Sequence, residues 1–106
     1  MKQIYEELLK NVPDYKTFLT FDEMEASSRA LAEKYPASTE LFEIGRTRDG
    51  NILSCLKIGN GSHTALMFGC PHPNEPIGTM MLEYFTEQLA KDEVLQKELD
   101  YTWYIV

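Results

Sequence analysis

Hydrophobic positions recur at helical spacing at both ends of the chain and lose that spacing in between. Ile4, Tyr5, Leu8, Leu9 and Val12 form one helical stripe that ends at Pro13. In "TFDEM", Thr20 stands three residues before Glu23, a capping-box pattern that predicts a second helix. Phe21, Met24, Leu31 and Tyr35 mark its apolar face up to Pro36. From Glu40 the pattern becomes strand-like. "ELFEIG" and "NILSCLKIG" are joined through "RTRDG", with Asp49-Gly50 as a hairpin turn. "GNGS" (59–62) then turns the chain into "HTALMFGC", apolar on both faces like a central strand covered on both sides.

Ile77, Met80, Met81, Tyr84, Phe85 and Leu89 return to helical spacing. Asn74 is placed to cap this helix and Pro76 to sit in its first turn, with Glu87–Lys91 and Glu93–Lys97 as i,i+4 pairs along it. "YTWYIV" is a strand by its aromatic and β-branched content. The order is α-α-β-β-β-α-β, and the βαβ unit makes the last two strands parallel. This predicts an α/β fold, a mixed β-sheet flanked by helices. The final strand reaches Val106 with no turn or polar tail, which reads as a sheet cut short. The expected consequences are poor cover for Trp103 and Ile105, and self-association of the chain.

Composition narrows the classes of function. With 106 residues and 43% hydrophobic content, one domain with a real core is expected. Seventeen acidic against ten basic residues give a net charge of −7. That balance argues against a nucleic-acid or anionic-membrane surface. The first residues, "MKQIYEELLKNVPDY", carry no apolar leader, and no apolar run approaches the ~20 residues of a bilayer span. The expected setting is cytoplasmic, with Cys55 and Cys70 as reduced core thiols.

Candidate chemistry is concentrated in "GCPHPNEPIG" (69–78), where a strand hands over to a helix. Open α/β sheets place ligand crevices at such junctions. Imidazole and carboxylate are both zinc ligands, and His72 and Glu75 lie three residues apart on the bend. A glutamate in the first helical turn would also be kept ionised by the helix dipole. Pro71 and Pro73 restrict the backbone on either side of His72. The same spacing also arises by chance, with Glu75 serving only as a first-turn charge. His63 is the other histidine; nine residues of extended chain put it about 30 Å from His72, so a solvated turn residue is expected. Cys70 would complete a C-x-H-x-x-E site, but a core role is favoured. Asn74 is either a helix cap or a substrate contact, with the cap slightly ahead. Arg46 and Arg48 read as surface charge, possible partners of Asp49.

Taken in register, "EIGRTRDG", the apolar strand, "HPNE", the amphipathic helix and "YTWYIV" resemble the N-terminal third of the M14 zinc carboxypeptidase family. The resemblance runs from about Tyr15, leaving 1–14 as an N-terminal helical extension and 15–106 as part of a zinc-carboxypeptidase-like (phosphorylase/hydrolase-like) domain. It implies Zn2+ held by His72, Glu75 and a histidine farther downstream, with a downstream glutamate as general base. It implies a hydrolase acting on a peptide or N-acyl amino acid and releasing a C-terminal residue. The 106-residue chain alone is then expected to be inactive. Asn74 stands where digestive-type members carry a substrate-binding arginine. "H-x-N-E" resembles instead amidases or deacylases and γ-glutamyl cell-wall peptidases. A non-catalytic α/β interaction module is the reading from another class.

Overall fold

The computed structural model describes residues 2–106. Each helix starts and stops where local chemistry changes. Helix α1 spans Lys2–Lys10 and α2 spans Phe21–Lys34. Thr20 caps α2: its hydroxyl oxygen accepts the Glu23 N–H at 3.2 Å and its hydroxyl donates to the Glu23 carboxylate at 3.1 Å. Strands β1 (Thr39–Arg46) and β2 (Ile52–Ile58) form the expected antiparallel hairpin, with Gly50 at φ 85° in its loop. Strand β3 runs His63–Met67 and β4 runs Tyr101–Ile105.

The region between β3 and β4 holds two helices where one was expected. Helix α3 ends at Lys91, and α4 covers Glu93–Leu99. Asp92 makes the break: its carboxylate accepts the Leu95 N–H at 3.0 Å and caps the new helix. The Glu93–Lys97 pair therefore belongs to α4 and not to a continued α3.

The sheet order is β1-β2-β4-β3, with β2 antiparallel and β3 parallel to β4. The predicted parallel pair is present. Strand β3, however, is neither central nor covered on both sides. It is a five-residue edge strand, and Leu66 is 59% exposed. The apolar run continues through Phe68, Gly69 and Cys70, but these lie past the strand.

Leu56, Ile58 and Ile105 of the sheet meet Leu82 and Leu89 of α3 and Leu95 of α4 in one buried cluster. Ile4, Leu8, Leu31 and Leu41 pack against it, so all four helices contribute to the same core. Ile105 is buried, and Trp103 packs edge-on against Phe85 with ring centroids 5.1 Å apart. The expected exposure of Trp103 and Ile105 does not occur, because β4 lies inside the sheet. The uncovered apolar residues include instead Leu66, Phe68 and Ile77, beside the β3 edge and the start of α3.

Candidate metal centre

Past Met67 the chain keeps two more ladder bonds. Val106 N–H donates to Met67 O at 2.9 Å, and Gly69 N–H donates to Val106 O at 2.8 Å. Gly69 also lets α3 approach closely, since a Cβ there would lie 3.1 Å from Thr79 Oγ1 and 3.2 Å from Leu82 Cδ1. The next residue, Cys70, has φ 50° and sends the chain away from the strand direction.

His72 to Glu75 then form a hydrogen-bonded turn, with Glu75 N–H donating to His72 O at 3.0 Å. Proline suits the second position of such a turn, and Pro73 occupies it. A turn of this kind brings its first and fourth residues within about 7 Å at Cα. His72 and Glu75 hold those two positions, and their side chains meet with Nδ1 and Oε2 3.1 Å apart. The spacing of three therefore works through a turn rather than a helix.

Two expectations change as a result. Helix α3 begins at Ile77 with Pro76 as its cap residue and no side-chain cap bond, so Asn74 is a turn residue and not a helix cap. The first turn of α3 contains no acidic residue, so Glu75 is not a first-turn residue but immediately precedes the cap residue Pro76. The proline and asparagine between His72 and Glu75 were a turn signal that the helix reading had taken over.

The pair is open, with the side chains 72% and 64% exposed. Their donor types suit zinc, and both point to one place. Among the described residues no third His, Cys, Asp or Glu joins them in a group able to hold a metal ion. Cys70 does not complete the set: its Sγ–H donates to the His72 backbone oxygen at 3.1 Å. Nor is it a core thiol like Cys55, which is buried and whose burial raises its pKa. Beside the pair lies an apolar groove of about 640 Å³, bounded by Pro71, Pro73 and Pro76 of the loop and by Phe21 and Met24 of α2. Nothing in the sequence placed α2 next to this loop.

His63 begins β3 at the opposite end, as expected, and stays exposed. Its ring stacks on Tyr101 with centroids 5.3 Å apart, and its Nδ1 lies 3.2 Å from Ser62 Oγ. Arg46 pairs with Glu43 at 3.1 Å and donates to Gly50 O at 3.1 Å, so its partner is Glu43 and not Asp49.

Residues 24–106 match the model of the M14 peptidases, the zinc carboxypeptidases. This chain belongs to that family. Solved structures agree in fold. Bovine thrombin-activatable fibrinolysis inhibitor, in a complex with tick carboxypeptidase inhibitor, superposes with a TM-score of 0.76 at 20% identity. That match covers 88% of this chain and 31% of the other. Carboxypeptidase A from Helicoverpa armigera gives a TM-score of 0.74 at 16% identity, over 99% of this chain and 31% of that one. The chain thus spans about a third of the length of these structures. No curated protein matches it.

Proposed function

We propose that His72 and Glu75 of this M14 member would hold zinc for a metallocarboxypeptidase-like hydrolase that releases a C-terminal amino acid from a peptide. One observation carries the reading. In a zinc carboxypeptidase family member, one imidazole and one carboxylate meet 3.1 Å apart on a turn past the C-terminal end of a parallel strand. Zinc, when bound, supplies a Lewis acid for the scissile carbonyl and lowers the pKa of a coordinated water. The chain's own residues fix where that happens: the turn aims both donors to one point, and Asn74 between them offers its amide to the substrate. With two donors and no third among the described residues, the 106-residue chain by itself is expected to be inactive.

An amidase or deacylase acting on N-acyl amino acids would use the same pair. Asn74 carries this second reading, since it makes the motif H-x-N-E, which resembles amidases and deacylases. We also propose that the isolated chain pairs with a second copy along β3, whose outer side is unpaired and lacks charged side chains. Light scattering showing a monomer at high concentration would refute that.

The functional reading is tested by zinc content and zinc titration of protein purified without chelators. Stoichiometric zinc in the longest natural polypeptide carrying this sequence, lost in His72→Ala, is the expected result. No zinc above background, with His72→Ala indistinguishable from wild type, overturns it.

A further inference from the structure

We propose that Cys70 is a positioning residue that sets the direction of the His72 side chain through the His72 carbonyl. The inference rests on the reading of His72 and Glu75 as the functional pair.

The loop has an unusual shortage of backbone donors. Pro71 and Pro73 have no N–H, so from 71 to 73 only His72 offers one. Something else must hold the peptide that follows His72. The His72 carbonyl accepts two bonds: the turn-closing N–H of Glu75 at 3.0 Å and the thiol of Cys70 at 3.1 Å. One bond comes from each side of the loop. Together they fix the plane of the His72–Pro73 peptide, and with it the direction in which the His72 Cα–Cβ bond leaves the backbone.

The backbone at Cys70 gives an independent argument. Its φ of 50° lies in the left-handed region, where a residue with a Cβ is strained and glycine is not. Gly50 and Gly59 occupy comparable conformations in this chain without that cost. A side chain kept at a strained position beside a functional pair points to a use for that side chain. Here its observed contact is the His72 carbonyl, so Cys70 acts on the site through His72 and touches no reacting atom.

The test reads the imidazole in the metal-free full chain by nitrogen NMR, at a pH where the ring-nitrogen shifts themselves show the neutral form. The Nδ1–Oε2 contact makes Nδ1–H the favoured tautomer of His72. Cys70→Gly suits the local φ and keeps the fold, and the His63 signal reports that it has done so. We expect Cys70→Gly to lower the Nδ1–H to Nε2–H ratio of His72 about threefold, the size of effect carried by one weak hydrogen bond. Cys70→Ser, which keeps a donor, should hold the wild-type ratio. An unchanged ratio in Cys70→Gly, an equal loss in Cys70→Ser, or no excess of the Nδ1–H form in wild type would overturn the proposal. Because no metal is present, the outcome is separate from the zinc titration. A chain that binds no zinc but shows the tautomer shift refutes the enzymatic reading and leaves the positioning role standing.

Discussion

The two ends of β3 each pair a histidine with a carboxylate, and they use the pair differently. At the start of the strand, His63 Nδ1 lies 3.7 Å from Asp100 Oδ2. Asp100 is already occupied: it accepts the Ser62 N–H at 3.1 Å and the Ser62 hydroxyl, and its backbone oxygen accepts the His63 N–H at 3.1 Å. The two Ser62 bonds hold its carboxyl below the ordinary aspartate pKa. At the far end, Glu75 meets His72 at 3.1 Å and accepts no other side-chain bond among the described residues. Both ends place a non-glycine residue in left-handed backbone, Asp100 at φ 54° and Cys70 at φ 50°. A carboxylate bonded on both oxygens by its own chain clamps a strand, whereas one with an oxygen left unbonded can bind something else.

Five substitutions would break or sharpen this contrast. The largest effect belongs to Gly61→Ala, because a Cβ there would lie 2.1 Å from Asp100 C and 2.2 Å from Tyr101 N, both rigid backbone. Urea unfolding should show a loss of about 3 kcal/mol. Gly69→Ala strikes the other end more gently, since Thr79 and Leu82 can yield by tenths of an ångström. About 1 kcal/mol is expected in the same assay.

Third is the acid response of the clamped end. Asp100 has a lowered folded-state pKa, so its contribution to stability is complete above its ordinary value of 3.8 and is lost as pH falls through the folded value. Melting temperatures followed from about pH 5 to pH 2 should fall less steeply in Asp100→Asn. An identical slope would show that the Ser62 bonds do not favour the charged form. The smallest stability effect is expected for His72→Ala and Glu75→Gln, within about 0.5 kcal/mol because both side chains are largely exposed. Zinc titration of the same variants should show binding lost. A large unfolding penalty would make the His72–Glu75 end structural too.

Much of this was legible in the sequence. The 3.6-residue stripe of Ile77 to Leu89, the Thr20 cap and the Asp49-Gly50 hairpin are local signals, and local signals survived folding. Strand order was not legible. The apolar content of "HTALMFGC" suggested a covered strand, but hydropathy does not say which neighbour a strand takes, and β4 took the inner place. Asp92 was missed because a cap inside a continuous helical pattern looks like an ordinary surface residue. At the site, the residue types and the strand-to-helix setting of His72 and Glu75 could be seen in advance. The turn could have been, from Pro73 at its second position. The left-handed backbone of Cys70 could not, since cysteine carries no such preference.

The position of β4 also fixes an order of events. The β1–β2 hairpin closes over a loop of a few residues and needs nothing else to begin pairing. Strand β3 joins the sheet only by pairing residues 63–67 with 101–105, across both intervening helices. The two bonds that tether the loop's entrance come from Val106. A chain emerging during synthesis therefore has both strands of the hairpin available to pair before the strand that fixes the address of His72 and Glu75 is made. Pulse-labelled hydrogen exchange during refolding should find β1 and β2 amides protected first and those of Gly69 and Val106 last. In this molecule the His72–Glu75 pair should be among the last features to become structured, although its sequence is made well before the strand that secures it.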